Sequence, residues 1–124
     1  MNIFIDEHSS IPNYKQIMIQ IKKLIVKGEL QPHDQLPSIR LLSKKLNVAI
    51  ITVKRAYEEL EKEGLTYTIS GKGVYVQEIR AEQLRLDVIK NIKSKFRESL
   101  VLARYFRLTD EEILTLFKEE LFNE

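Results

Sequence analysis

Between Tyr14 and Lys27 the apolar residues Ile17, Ile21, Leu24 and Ile25 recur at helical spacing, and Gly28 behind them suits a C-terminal cap. Pro32 and Pro37 bracket a short connector. Ser38 then stands where its hydroxyl can accept from the free amides of a second helix carrying Ile39, Leu42 and Leu46. Asn47 tolerates the left-handed backbone that ends a helix abruptly, and Val48 is placed to pack under the resulting corner. A third helix is predicted from Ala49 to Glu63, with Val53, Ala56, Tyr57 and Leu60 on one face and a stop at Gly64. The pattern then changes. Leu65 to Ile69 and Val74 to Val76 are rich in β-branched and aromatic residues and flank Ser70-Gly71-Lys72-Gly73, which predicts a β-hairpin. From Ala81 to about Arg107 the helical period returns, with Leu84, Val88, Ile92, Phe96 and Leu100 four residues apart. Thr109 and Glu112 match a capping box, which opens a last helix carrying Ile113, Leu114, Leu116, Phe117 and Leu121.

Composition narrows the possibilities. A sequence of 124 residues fits one ordinary domain with an appendage, and its 44% apolar and 31% charged content is that of a soluble globular protein. The longest apolar stretch, Val48 to Thr52, is far too short to cross a bilayer, so no membrane span is expected. Asn2, Asp6 and Glu7 near the start do not fit a secretory signal, which places the expected compartment in the cytoplasm. The absence of cysteine rules out disulfides, thiolate metal sites and cysteine nucleophiles. His8 and His33 fall in separate loop segments, no serine lies in a Gly-x-Ser-x-Gly context, and Gly71-Lys72-Gly73 is neither a phosphate loop nor a dinucleotide fingerprint. No enzymatic activity, cofactor or metal is expected.

The net charge of +2 is too small to identify a partner, but its distribution is uneven. Between Gln35 and Tyr57 lie Arg40, Lys44, Lys45, Lys54 and Arg55 and no acid, a local +5. Residues 79–109 carry eight Lys or Arg against Glu82, Asp87 and Glu98, again +5, whereas residues 110–124 carry six acids against Lys118. Three short helices, the third following a tight turn, and then a hairpin is the order of a winged helix-turn-helix. The acid-free window covers the parts that such a motif presents to DNA. Cations without neighbouring carboxylates suit phosphate, because each neutralised phosphate releases counterions. The expected fold class is therefore α+β and mainly helical, with a winged helix-turn-helix DNA-binding domain in residues 1–78 and a two-helix dimerisation tail in residues 79–124. A winged helix that binds protein without touching DNA is the competing reading, against which the acid-free window argues.

The residues carry a resemblance as well. Pro12-Asn13-Tyr14-Lys15-Gln16-Ile17, Gly28-Glu29-Leu30-Gln31-Pro32, Leu36-Pro37-Ser38-Ile39-Arg40-Leu41-Leu42, Thr52-Val53-Lys54-Arg55-Ala56-Tyr57 through Gly64-Leu65, and Gly71-Lys72-Gly73-Val74-Tyr75-Val76 together resemble the GntR family of bacterial regulators. The short helical tail is similar to that of its YtrA-like subfamily, since residues 79–124 are too few for a ligand-binding domain of ordinary size. The resemblance implies a transcription regulator, a repressor, that binds double-stranded palindromic operator DNA as a homodimer, and suggests a transporter operon of the ABC type as its target. It leaves any small-molecule effector unidentified.

On that resemblance the candidate DNA-binding residues are Ser38, Arg40, Thr52, Lys54, Arg55, Ser70, Gly71 and Lys72. Each has a plainer role. Ser38 is a helix cap, Arg40 an ion-pair partner of Asp34 or Glu58, and Thr52 a hydroxyl bonded back to its own helix. Arg55 either anchors a backbone phosphate or pairs with Glu59, and because Lys54 and Arg55 point about 100 degrees apart, at most one lies centrally in a groove. Ser70, Gly71 and Lys72 are either a wing tip that approaches DNA or a simple hairpin turn. Two departures stand out. Relatives commonly have a small polar and then a basic residue where this chain has Ala49-Ile50-Ile51, so the third helix lacks a polar cap and Ile50 is free to meet a thymine methyl or to be partly buried. His33 stands where relatives often have glycine.

The tail's own pattern points to self-association. One pair of helices cannot cover both the stripe of Leu84, Val88, Ile92, Phe96 and Leu100 and that of Ile113, Leu114, Phe117 and Leu121, which leaves a face for a second copy. The opposite charges of the two helices allow helix five to lie on helix four of its own chain or of its mate.

Overall fold

The computed structural model describes residues 1–123. Its elements are α1 (Asn13–Val26), α2 (Ile39–Leu46), α3 (Ile50–Lys62), β1 (Thr66–Ile69), β2 (Gly73–Val76), α4 (Ala81–Tyr105) and α5 (Asp110–Phe122). They form two compact units, Met1–Arg85 and a second that begins at Leu86. No helix among the described residues is long and apolar enough to cross a membrane.

In the first unit each helix starts and stops for a local reason. The Pro12 carbonyl receives the Gln16 amide at 3.1 Å, and Gly28, at φ +78°, closes α1 while Glu29 N donates to Leu24 O at 2.9 Å. Ser38 caps α2, its Oγ accepting from Leu41 N at 3.1 Å. Asn47 ends that helix at φ 55°, ψ 49°, the left-handed conformation expected of it. Ser43, buried beneath the corner, donates its hydroxyl to Val48 O at 2.6 Å and so fixes the turn into α3. Ala49 at the head of α3 offers no side-chain cap, as the sequence implies.

The helical faces converge on one core. Ile17 and Ile21 of α1, Leu42 of α2, Val53, Ala56 and Leu60 of α3 and Val76 of β2 are all shut off from solvent. Tyr57 adds a polar anchor, donating its hydroxyl to Pro37 O at 2.7 Å, and burial pushes that hydroxyl far above the ordinary tyrosine range.

β1 and β2 pair antiparallel with Thr66 opposite Val76 and Ile69 opposite Gly73, so the second strand begins one residue earlier in the link than the sequence implies. The connector after Pro32 is also more than a connector. His33 N donates to Val76 O at 2.7 Å, Val76 N to Asp34 O at 2.8 Å and Leu36 N to Val74 O at 2.8 Å, which adds a short third edge beside β2. His33 adopts φ +70°, in the left-handed region that favours glycine.

The first turn of α4 belongs to this unit. Leu84 is only 4% exposed and joins the winged core, which removes it from the dimerisation stripe that the sequence implies. A boundary after Glu78 would cut that side chain away from the core it fills.

In the second unit α4 turns into α5 through Arg107, at φ +56°, with Leu108 N donating to Ala103 O at 3.0 Å. The capping box forms: Thr109 Oγ1 accepts from Glu112 N at 3.1 Å and Glu112 Oε1 from Thr109 N at 3.0 Å. Arg104 pairs with Asp110 at 2.7 Å, and the Phe96 and Phe117 rings meet edge to face with centroids 5.7 Å apart. That ring contact joins α5 to α4 within the chain.

Candidate nucleic-acid interface

α2 and α3 pack against each other, which brings the stretch from Ser38 to Lys45 beside the stretch from Ile50 to Arg55 on one unit. The buried positions of α3, namely Val53, Ala56, Tyr57 and Leu60, fix which way the helix turns. Ile50, Ile51, Lys54 and Arg55 are then left exposed outside that buried face.

Arg40 is exposed and forms no ion pair with Asp34 or Glu58 among the described residues. The Asp34 carboxylate accepts instead from Gln31 N at 2.8 Å, and Glu58 faces Lys54 at 3.9 Å. That Lys54–Glu58 contact joins two side chains more than half exposed, 56% and 57%, so solvent screens it and a phosphate can displace it. The Thr52 hydroxyl is half-buried and makes no hydrogen bond among the described residues, so it does not bond back to its own helix. Ser38 acts as a cap, with its backbone at the very start of α2.

Arg55 does not pair with Glu59, whose carboxylate faces Lys62 at 3.4 Å. Its guanidinium lies 3.9 Å from the centre of the Tyr14 ring, a cation–π contact that ties α3 to the first turn of α1. Periodicity cannot reveal this contact, since it joins residues on two separate helices.

The wing tip closes by donation of Lys72 N to Ile69 O at 2.9 Å. Gly71 sits there at φ +76° with open space about it, so its backbone, and not crowding, requires glycine. At Gly73 both causes act: its φ of +136° disfavours a side chain, and a Cβ there would stand 2.6 Å from Gln35 Nε2, which itself donates to Lys72 O at 2.9 Å. Gln35 thus ties the wing to the segment that leads into α2, a role no sequence spacing reveals. At the wing's base Tyr67 stacks on Tyr75 with centroids 5.6 Å apart, and its hydroxyl lies 2.8 Å from His33 Nδ1. Among the described residues no group of His, Asp and Glu could hold a metal ion.

The geometry has counterparts among known proteins. The sequence pattern of the family described as "Bacterial regulatory proteins, gntR family" matches residues 13–76. The HTH-type transcriptional repressor YtrA of Bacillus subtilis is 37% identical over 94% of this chain and 90% of its own length. Among solved structures, a GntR family transcriptional regulator from Listeria monocytogenes superposes with a TM-score of 0.64 at 36% identity, covering 93% of this chain and 98% of that one. AraR(DBD), solved in complex with operator ORX1, superposes with a TM-score of 0.55 at 25% identity over 61% of this chain and 95% of that one. With the family pattern spanning α1 to β2 and the likeness to YtrA running on through the tail, the chain belongs to the GntR family of bacterial regulatory proteins, in its YtrA-like branch.

Proposed function

We propose that this protein is a cytoplasmic transcription repressor that binds a palindromic operator as a homodimer and has no catalytic role. The observation that carries this reading is the acid-free run from Gln35 to Tyr57, which spans α2 and the first half of α3 and in which Arg40 has no ion-pair partner among the described residues and Lys54 is only loosely held by Glu58 beyond it. In a winged helix-turn-helix the start of the third helix meets base edges, so Thr52 and Lys54 take that place, while Arg40 clasps guanine or phosphate in two parallel hydrogen bonds. Arg55, held back by Tyr14, anchors a backbone phosphate. Ser38 contributes its backbone amide region, and Ser70, Gly71 and Lys72 approach the minor groove or flanking phosphates.

Val88, Ile92, Phe96, Leu100, Phe117 and Leu121 remain 39–55% exposed on the tail helices, and Ile113 is half-buried beside them. An apolar surface of this extent suits a second copy of the chain, which would set two α3 helices against successive half-sites. The test is titration of the full chain with its own upstream DNA at about 50 and about 200 mM salt, alongside sedimentation. The expected outcome is a dimer whose affinity falls steeply with salt and exceeds that for unrelated duplex. A monomer mass of 14.6 kDa, or equal affinity for both duplexes, would overturn the proposal.

A further inference from the structure

Two apolar side chains stand where the fold has no use for them. Ile50 and Ile51, the first two residues of α3, are 51% and 69% exposed. Neither belongs to the winged core or to the partly buried side chains packed around it, although Val48, two residues earlier, does. They are surrounded by charge, because Ile50 lies one helical turn before Lys54, and Ile51 one turn before both Lys54 and Arg55. An apolar pair inside a cationic surface gains nothing from water and offers phosphate no hydrogen bond.

Resting on the DNA-binding reading above, we infer that Ile50 and Ile51 are specificity-determining residues that recognise the 5-methyl group of thymine in the major groove. The opening residues of this helix are those that reach base edges. Along the major-groove edges of the four base pairs, the thymine methyl is the one apolar group. Isoleucine against cytosine, guanine or adenine would strip water from a donor or acceptor and return no hydrogen bond, so the same pair excludes those bases as it favours thymine. The β-branched side chains add precision, since each holds a strongly preferred χ1 rotamer in a helix and loses little freedom on contact. Ala49 supports the arrangement, because the head of α3 carries no capping side chain that would compete with the isoleucines for the same base edges.

The experiment uses the full chain. Duplexes are selected from a randomised library, and the best of them is resynthesised with deoxyuridine in place of one thymine at a time, which removes the methyl and keeps the pairing. Wild-type protein is expected to bind roughly fourfold more weakly for each contacted methyl removed, the effect of burying one such group. Ile50→Ala and Ile51→Ala, which leave the core untouched, should each show less than about a twofold response at the position they lose. A fluorescence titration of each variant against both duplexes reads this directly. Selected duplexes whose affinity ignores every deoxyuridine, or a response that persists unchanged in both variants, would overturn the inference while leaving the DNA-binding reading in place. Failure of any duplex to be enriched would overturn both.

Discussion

In the winged unit Ile17, Ile21, Leu42, Val53, Leu60 and Val76 are almost completely shut off from solvent, whereas beyond Leu86 no described side chain reaches that state. α5 buries nothing, and α4 buries only Leu84, which belongs to the winged core. The tail instead holds its shape by local devices: a capping box, the Arg104–Asp110 pair and one aromatic contact. Such devices each contribute about 1 kcal/mol or less, while a buried aliphatic side chain contributes about 1.5 to 3 kcal/mol. The winged unit therefore has the contacts to stand on its own, whereas the apolar side chains left exposed on the tail suit the second copy of the chain proposed above.

Removing a core side chain gives the largest expected effect. Leu60→Ala should lower the stability of the winged unit by about 2 to 5 kcal/mol in denaturant titration, since a closely packed core collapses only partly around the space left. Leu84→Ala should behave likewise, though its residue lies on a tail helix, because it fills the same core. If Leu84→Ala instead altered assembly and left the denaturation midpoint unchanged, the boundary between the two units would need to move back toward Glu78.

The tail should answer in the opposite way. Phe96→Asp is expected to leave the winged unit's melting intact, to convert the proposed dimer to monomer on sedimentation, and to lower operator affinity about a hundredfold or more through loss of two-site binding. Melting of the winged unit along with dissociation would show that the two regions are not independent.

Within the winged unit, surface and core should also separate. Arg40→Ala and Lys54→Ala should each weaken operator binding by about 1 to 3 kcal/mol with unchanged folding. Lys54 is expected at the lower end, because part of its charge is already met by Glu58. Thr66 supplies a smaller effect of the other sign. Its Oγ1 is buried with no partner among the described residues, so Thr66→Val should leave stability unchanged or raise it by about 1 kcal/mol. A loss of stability would mean that the hydroxyl is satisfied in solution.

Much of the fold is legible in the sequence, for a reason that differs by element. α1, α3 and α5 carry their stops and caps in adjacent residues, so Gly28, Gly64 and the Thr109–Glu112 pair mark them directly. The edge formed by residues 33–36 is hidden, because its hydrogen bonds run to β2, some forty residues later. The same holds for the site. Arg40 and Lys54 are visible as cations in an acid-free run, but Tyr14 behind Arg55 and Gln35 behind the wing act across elements, and periodicity has no access to such pairs. Leu84 is the instructive case: the four-residue step that places it in the tail's stripe is real, yet the helix passes from one unit to the next, and burial divides a pattern that spacing cannot.

The smallest expected effect isolates the tail's local devices. Two hydrogen bonds from Thr109, first from its backbone amide and then involving its side chain, hold the Glu112 carboxyl below the usual carboxylate range. A group whose pKa is lowered on folding adds stability that is present above its unfolded value, about 4.3, and is lost as pH falls through the folded one. Acidification below about pH 4 should therefore loosen the first turn of α5, which NMR shifts of the Thr109 and Glu112 amides would report, before the winged unit responds. Glu112 is exposed, so the effect is screened and confined to that turn. Glu112→Gln keeps an oxygen for the Thr109 amide but carries no charge, and should leave both amide shifts flat over the same pH range. If the variant titrated as the wild type does, the neighbouring carboxylates Asp110 and Glu111, which also favour the helix N-terminus, would be the source of the change, and the capping box would not be what holds α5 at its start.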